Sequence, residues 1–285
     1  MKVLVTGAEG QLGYELKQRL AVLHSVFAYD IELDITDKQA VVEEITRVRP
    51  EIVLHCAAMT DVDACETEPD RAAAVNEAGT ANVVTGCQQV NAIMVYVSTD
   101  FVFDGQKNVP YVETDAPNPL NVYGRTKLGG ENAVKNGLDN CYIIRTSWLF
   151  GRRGGNFVKT VLRLAEEKGE LAVVDDQTGS PTYAPDLADK IIELTNTGAF
   201  GTYHIANAGQ TTWYGFAREI LRAAGRESVP VRPISSDALG RSAKRPAYSV
   251  LGNEALAGAG IAPLRDFHQA LDSYFGNTKE KGNCR

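Results

Sequence analysis

The fold class of this chain is decided by the stretch Val3-Leu4-Val5-Thr6-Gly7-Ala8-Glu9-Gly10-Gln11-Leu12-Gly13. Residues 3–5 form a short, continuously apolar run that is typical of a buried parallel strand. Residues 14–23, after the glycines, have a helical pattern. Gly7 permits a tight turn, Gly10 lets the backbone approach a pyrophosphate, and Gly13 allows close helix packing. Free N–H groups at the helix start favour the anion. The stretch therefore predicts a dinucleotide site.

Strand and helix patterns alternate from there to residue 97. Predicted strands cover residues 25–29, 52–58 and 93–97, and predicted helices cover residues 38–48 and 70–91. Such alternation is the pattern of a parallel sheet with helices on both faces. We therefore predict an α/β fold, with a Rossmann-type doubly wound parallel sheet.

Three features of this half allow a structural interpretation. Residues 61–68 are predicted to form an acidic loop. His55 lies inside an apolar strand, which favours a packed side chain over a catalytic one. Asn76, within the predicted helix, is either structural or a hydrogen-bonding group near the site.

An acidic residue, Asp30, follows the second predicted strand, 17 residues (30 − 13) after the last glycine. In a dinucleotide fold, an acid near this place hydrogen-bonds the adenosine ribose and disfavours a 2′-phosphate. Ile31 and Glu32 supply no cation for such a phosphate. The pattern favours NADH without excluding NADPH, and a solvated loop acid is nearly as good an interpretation.

The candidate reaction centre runs from Ser98 to Lys127. Thr99 follows a predicted strand, at the end where open α/β sheets bind ligands. If Tyr123 begins a helix, Lys127 lies one turn further on the same face. A phenol beside an ammonium acquires a pKa closer to the working pH, and a hydroxyl can donate to a developing oxyanion. Tyr-x-x-x-Lys is a weak motif alone, but Thr99, Tyr123 and Lys127 together predict a site that gives a proton to a carbonyl.

The second half changes composition at residues 151–155, which are rich in Gly and Arg. We predict a dinucleotide-binding domain over residues 1–150, rejoined by part of residues 177–206. A smaller α/β substrate lobe is predicted over residues 151–275, and a disordered tail over residues 276–285.

Composition limits the classes of function. Of 285 residues, 44% are hydrophobic and 23% charged, as in ordinary globular proteins, and the net charge of −7 argues against general nucleic-acid binding. The five cysteines include no C-x-x-C pair, which favours reduced thiols in a cytoplasmic protein. No apolar run reaches membrane-spanning length, so we expect no membrane partner.

The order of these motifs resembles the extended short-chain dehydrogenase/reductase superfamily. Further stretches narrow the resemblance to the family of dTDP-4-dehydrorhamnose reductases, and it covers the chain to about residue 275. These stretches are residues 115–127, Arg145-Thr146-Ser147-Trp148, Asn156-Phe157-Val158-Lys159-Thr160 and Asp176-Gln177-Thr178-Gly179-Ser180-Pro181-Thr182.

The resemblance implies reduction of the C4 ketone of dTDP-4-dehydro-L-rhamnose by NADH or NADPH. It implies that Tyr123 protonates the product alkoxide, that Lys127 lowers the Tyr123 pKa and holds the nicotinamide ribose, and that Thr99 polarises the carbonyl. It places Asp100 and Trp148 against the sugar. It also implies a set of cofactor contacts: Gln11, Leu12, Asp34, Ile35, Ala57, Ala58 and Met59. Arg245 is our own addition as a phosphate ligand, with a surface arginine an equal interpretation.

Some family members form homodimers through a magnesium ion held by glutamates of both subunits. Glu15 matches one such position, but Pro185 stands where another glutamate would be. This difference disfavours the magnesium bridge and the homodimer that depends on it.

Two other functions compete with this interpretation. A nucleotide-sugar epimerase or dehydratase shares the superfamily, although a dehydratase needs an acid where Phe101 follows Asp100. A non-catalytic regulatory subunit, resembling that of methionine adenosyltransferase, is the alternative from another class. The complete Thr99, Tyr123 and Lys127 set favours a reductase over both.

Overall fold

The computed structural model of the protein describes residues 1–276, so most of the predicted C-terminal tail lies outside the described residues. Its strands are β1 (Lys2–Thr6), β2 (Ser25–Tyr29), β3 (Ile52–His55), β4 (Ile93–Thr99), β5 (Cys141–Thr146), β6 (Leu149–Phe150), β7 (Leu171–Val174), β8 (Thr178–Gly179), β9 (Thr182–Tyr183), β10 (Gly201–His204), β11 (Thr211–Thr212) and β12 (Val231–Ile234). Its α-helices are α1 (Gln11–Leu20), α2 (Lys38–Val48), α3 (Val62–Thr67), α4 (Pro69–Ala73), α5 (Thr80–Val90), α6 (Val122–Gly137), α7 (Phe157–Lys168), α8 (Ala184–Thr195), α9 (Trp213–Ala223), α10 (Glu254–Gly258) and α11 (Phe267–Phe275).

The central sheet has six strands in the order β10-β5-β4-β3-β1-β2, and every neighbouring pair is parallel. Its inner strands are apolar because both faces are covered, by one buried cluster around Leu16 and Leu187 and by another around Ile45 and Val83. The predicted Rossmann-type doubly wound sheet is confirmed. Chain order reverses between β1 and β3, and a sheet of this kind binds its ligand at that crevice.

The predicted helix over residues 70–91 is present, but it is not α-helical throughout. The chain forms α4, then a π-helical segment Ala74–Gly79, then α5. The wider turn lies at Asn76, whose buried side chain bonds both backbone groups of Met59. A π-turn within a helix is frequent at functional sites.

The acidic stretch over residues 61–68 is also not a loop, because most of it forms helix α3. Asp61 caps this helix by accepting a hydrogen bond from the Ala64 N–H at 3.0 Å. Such a cap satisfies one of the first N–H groups of the helix, which stabilises even a short helix.

The second part of the molecule has its own core around Phe150, Phe216 and Phe267. Part of residues 151–275 nevertheless lies with the sheet. Helix α8 packs against α1, β10 pairs with β5, and Leu256 joins the core cluster beneath the sheet. The chain therefore passes between the two parts more than once. Within residues 1–276, no helix is long and apolar enough to cross a membrane.

Candidate active site

A cleft of about 920 Å³ opens at the carboxyl ends of the sheet strands. Nearly all the residues predicted to bind cofactor or substrate line it. They are Gly7, Gly10, Gln11, Leu12, Gly13, Asp30, Asp34, Ile35, Ala57, Ala58, Thr99, Asp100, Tyr123, Lys127, Trp148 and Arg245.

Met59 is the predicted residue that does not line the cleft. Its side chain, like that of Tyr123, packs against a small buried cluster that includes Val122. Its backbone is fixed by Asn76, which also donates to the Thr126 hydroxyl at 3.1 Å. Asn76 thus holds the chain after β3 against helix α6.

The glycine-rich turn after β1 requires its glycines. Gly7 has a φ of +65°, and a Cβ there would lie 2.7 Å from the Ala57 nitrogen. A Cβ on Gly13 would lie 2.2 Å from the Gly7 carbonyl oxygen. Gly10 begins α1 without a side-chain cap, so the first N–H groups of the helix have no side chain to satisfy them. This cradle fits the pyrophosphate of a dinucleotide.

Asp30 follows β2 and lies at the edge of the same cleft. Its carboxylate accepts a hydrogen bond from the Glu9 N–H at 3.4 Å, and its own N–H donates to Glu32. In the described part of the chain, the cations that line the cleft are Lys127 and Arg245, which belong to other segments. Asp34 bonds both the N–H and the hydroxyl of Thr36, which lower its pKa.

Tyr123 lies in the first turn of α6, which begins at Val122 as the Tyr-x-x-x-Lys spacing requires. Asn121 caps the helix by accepting from the Gly124 N–H at 2.8 Å. A Cβ on Gly124 would lie 2.1 Å from the Phe101 carbonyl oxygen. Only glycine permits this approach, which brings the helix start against the turn after β4. Thr99 and Tyr123 both line the cleft there, and the Phe101 ring meets the Tyr123 ring edge-on.

Burial raises the pKa of Tyr123, and the nearby Thr99 side chain acts in the opposite direction without overcoming it. The phenol therefore keeps its proton at neutral pH. A group with a raised pKa releases that proton only to an oxygen that becomes more basic, such as an alkoxide.

Lys127 lies one turn beyond Tyr123 and is 3% exposed. Its ammonium donates to the Val97 carbonyl at 2.6 Å and lies 4.1 Å from the centre of the Tyr96 ring. Burial lowers the pKa of Lys127 to about 7, although the Glu131 carboxylate partly opposes that shift. Since the ammonium is directed at Val97, its effect on the Tyr123 pKa stays a prediction.

Asp100 lies in the wall of the cleft, and its carboxyl group is buried. Its Oδ1 accepts from the Thr99 hydroxyl at 3.0 Å, its Oδ2 is buried with no hydrogen bond of good geometry among the described residues, and the Ser249 side chain acts on the same carboxyl by lowering its pKa. Burial raises the pKa of Asp100 from 3.8 to about 6.

Trp148 stands in the cleft with a left-handed backbone (φ 45°), which is uncommon for a residue other than glycine. Trp213 also lines the cleft, and its indole N–H donates to Oε1 of the Gln177 side chain at 3.1 Å. A Cβ on Gly179 would lie 2.5 Å from the Trp148 ring. We did not predict Trp213 as a site residue, because in sequence it reads only as the first residue of an amphipathic helix.

Arg245 is not a free surface arginine. Its guanidinium holds the Asp63 carboxylate through two contacts, Nη2 to Oδ2 at 2.8 Å and Nη1 to Oδ1 at 3.2 Å. These hydrogen bonds keep the pKa of Asp63 well below its usual range.

A buried ion pair lies behind the cleft. Glu131 on α6 holds Arg145 on β5 through two hydrogen bonds, at 2.7 and 2.8 Å, and also accepts from the Ser98 hydroxyl at 2.7 Å. The Arg145 guanidinium reaches His204 on β10. The pair therefore ties α6 to three strands of the sheet.

His55 is packed, as predicted. It is 1% exposed, its Nδ1 contacts the Thr6 hydroxyl at 2.7 Å, and burial lowers its pKa to about 3. It does not line the cleft.

The residues considered for magnesium do not fit a metal site within one chain. Glu15 forms an ion pair with Arg19, and Pro185 lies in the first turn of α8. Among residues 1–276, no group of three or more His, Cys, Asp or Glu side chains is arranged to hold a metal ion.

Comparison with known proteins gives a consistent result. Residues 1–279 match the family described as the RmlD substrate binding domain. The chain is 43% identical to a dTDP-4-dehydrorhamnose reductase of Streptomyces griseus, over 95% of this chain and 92% of that protein. It is 41% identical to a dTDP-4-keto-6-deoxy-D-glucose reductase of Streptomyces niveus, over 95% and 96%. A crystal structure of a dTDP-4-dehydrorhamnose reductase from Bacillus anthracis in complex with NADP superposes with a TM-score of 0.94, at 41% identity over 97% and 99%.

Proposed function

The chain belongs to the family described as the RmlD substrate binding domain, and we propose that it reduces the C4 ketone of dTDP-4-dehydro-L-rhamnose to give dTDP-L-rhamnose. The relatives that are named dTDP-4-dehydrorhamnose reductase are NAD(P)H-dependent oxidoreductases of the short-chain dehydrogenase/reductase type, and this protein is an enzyme of the same kind. The observation that carries the proposal is that Tyr123 and Lys127, one turn apart on α6, line the same cleft as Thr99, Asp100 and the glycine-rich turn.

The residues present fit a nicotinamide dinucleotide. A side chain at Gly7 or Gly13 would clash with backbone atoms, so the turn is tight, and the start of α1 offers free N–H groups to an anion. When bound, the cofactor supplies the hydride. Tyr123 would then give its proton to the new alkoxide oxygen, since burial keeps the phenol protonated until a stronger base appears. Thr99 would donate to the same oxygen, and Lys127 would hold the cofactor ribose.

In this proposal, the specificity for the sugar comes from Asp100 and Trp148. Asp100 would accept a hydrogen bond from a sugar hydroxyl, and the Trp148 ring would form an apolar wall for the sugar. Relatives of similar identity are named for other 4-keto sugars, as the Streptomyces niveus reductase shows. The identity of the sugar is therefore the part of the proposal that the experiment must decide.

The decisive experiment follows the absorbance of NADH or NADPH with enzymatically prepared dTDP-4-dehydro-L-rhamnose. Oxidation that depends on the sugar, with dTDP-L-rhamnose as the product, is the expected result. A parallel assay with dTDP-4-keto-6-deoxy-D-glucose separates the two sugars. Absence of oxidation, from folded protein that binds cofactor, would contradict the proposed reaction. Protein that is purified with NAD already bound and interconverts sugars without net oxidation would instead be an epimerase.

The same assay decides the cofactor. We propose that NADH is preferred, because Asp30 lies at the cleft edge where the adenosine ribose of a Rossmann-type fold is held. The Bacillus anthracis protein was solved with NADP, so both cofactors must be compared at matched concentrations.

A further inference from the structure

A junction of three segments lies at the mouth of the cleft. Helix α3 contributes Asp63, the N-terminus of α6 contributes Asn121, and the loop Arg241–Arg245 of the second part crosses between them. We call this loop the strap.

Asp63 is the centre of the junction. Its carboxylate receives Arg245 at 2.8 and 3.2 Å, Arg241 at 3.0 Å, and the Ser242 hydroxyl and Ala243 N–H, both at 3.2 Å. These partners lie about 180 residues further along the chain. One carboxylate therefore fastens the whole strap to α3.

The strap is also fastened to the helix that carries Tyr123. Asn121, which caps α6, donates its side-chain amide to the Lys244 carbonyl at 2.7 Å. Helix α3 reaches the same helix start, because Glu66 accepts from the Val122 N–H at 2.9 Å. A displacement of the strap would therefore move the first turn of α6, which carries Tyr123.

The contacts of Arg245 leave part of its guanidinium free. Arginine has five N–H donors. Two on Nη1 are used by Asp63 and the Ala243 carbonyl, and one on Nη2 is used by Asp63. Among the described residues, the Nε donor and the second Nη2 donor have no hydrogen-bond partner. These two lie along one edge of the guanidinium and form a fork that matches two oxygens of a phosphate.

We propose that Asp63 is a positioning residue that holds Arg245 end-on, so that the free edge of the guanidinium binds the diphosphate of the nucleotide-sugar substrate. This inference rests on the proposed function for the identity of the anion. Arg245 lines the cleft and its side chain is 15% exposed, so it is accessible to a ligand but restricted in motion. Without Asp63, the long side chain would regain rotational freedom, which costs affinity for the anion.

The test measures binding of dTDP and of thymidine by titration calorimetry, so that it does not depend on turnover. Arg245→Lys keeps the charge but loses the fork, and we expect it to weaken dTDP binding by roughly tenfold while thymidine binding is unchanged. Asp63→Asn should also weaken dTDP binding, by a smaller factor. In the double variant, the loss of dTDP affinity should be smaller than the product of the two single losses, because both substitutions disrupt the same pairing of Asp63 with Arg245.

Arg241→Gln is the matched control. Arg241 binds the same carboxylate, but its side chain is 51% exposed and it does not line the cleft, so dTDP binding should stay at the wild-type value. Thermal unfolding of each variant shows whether a loss of binding is a loss of fold. Wild-type affinity for dTDP in a folded Asp63→Asn variant would overturn the inference.

Steady-state kinetics separate this inference from the proposed function. If the wild-type enzyme reduces the sugar but Asp63→Asn keeps its KM, the inference fails and the function stands. If Asp63 and Arg245 control dTDP binding while dTDP-4-dehydro-L-rhamnose is not reduced, the function fails and the inference stands. A raised KM with nearly unchanged kcat is the expected result, because the diphosphate is remote from the ketone.

Discussion

Trp148 and Trp213, the two tryptophans of the chain, stack face to face with ring centres 3.5 Å apart and planes within 6°. Phe157 meets Trp213 at 4.6 Å. Trp148 has a left-handed backbone, and its ring packs on Trp213, which belongs to the second part of the molecule. The apolar wall of the sugar site depends on a residue that belongs to helix α9.

Trp213→Ala removes that support, and we expect KM for the sugar substrate to rise by roughly tenfold while the Kd for cofactor stays the same. Trp213→Phe retains a stacking ring and should recover most of the loss. Equal KM values in the wild type and the alanine variant would show that Trp148 needs no support.

Tyr123→Phe removes only the phenolic oxygen and its proton. We expect kcat to fall by about 10²–10⁴ with little change in cofactor affinity, since proton transfer by a positioned acid is worth that much. Tyr14→Phe, on α1 outside the cleft lining, is the control and should keep wild-type turnover. Comparable turnover in the two variants would contradict the role of Tyr123 as acid.

Asp100→Asn tests the cost of the buried carboxylate. The pKa of Asp100 is raised from 3.8 to about 6 by burial, so the folded protein holds its proton more tightly than the unfolded chain does. The ionised form of Asp100 therefore lowers the free energy of unfolding above pH 6 by roughly 3 kcal/mol. This loss disappears as the pH falls from about 6 to about 4, because the folded protein then binds the proton.

The Asn variant should accordingly have the larger free energy of unfolding at pH 8, and the difference should shrink towards pH 4 in urea titrations. Activity should fall at the same time, because an amide NH2 replaces one of the carboxylate oxygens that we propose for the sugar hydroxyl. A difference in stability that does not change with pH would contradict this account of Asp100.

Asp30→Ala removes the acid at the proposed ribose position. We expect the ratio of kcat/KM for NADPH to that for NADH to rise, by roughly tenfold, because the repulsion of a 2′-phosphate disappears. Glu32→Ala is the control, since Glu32 contacts the Asp30 N–H but does not line the cleft. An unchanged cofactor ratio in Asp30→Ala would exclude Asp30 from cofactor choice.

Glu131→Ala leaves Arg145 as a buried cation without its carboxylate partner. Both side chains are almost fully buried, so we expect a loss of about 3–5 kcal/mol in the free energy of unfolding. Glu167→Ala, which breaks the exposed pair with Arg163, should cost less than about 1 kcal/mol. Denaturant titration of the two variants gives the comparison.

The sequence was sufficient for the parts of the site that are local in the chain. The glycine spacing from Gly7 to Gly13 and the spacing from Tyr123 to Lys127 each depend on a single turn or helix, whose geometry follows from periodicity. The parallel sheet was predictable for the same reason, because each strand is followed by its own helix.

Other features were not predictable, because they depend on pairs that are distant in sequence. Nothing near Asp63 indicates that its partner is Arg245, and nothing near Trp148 indicates Trp213. The direction of the Lys127 ammonium depends on the Val97 carbonyl of a neighbouring strand. The π-helical segment arises from the tertiary contact between Asn76 and Met59, which local helix propensity does not contain.

The return of the chain to its own sheet has a consequence for proteolysis and folding. Because β10 closes one edge of the sheet and Leu256 packs beneath it, a fragment that ends near residue 150 lacks an edge strand and part of its core. The fragment that begins there would carry α8 and β10 with no sheet to join. Neither half is a self-sufficient folding unit, so we expect one cooperative unfolding transition and no protease cut that releases an intact half.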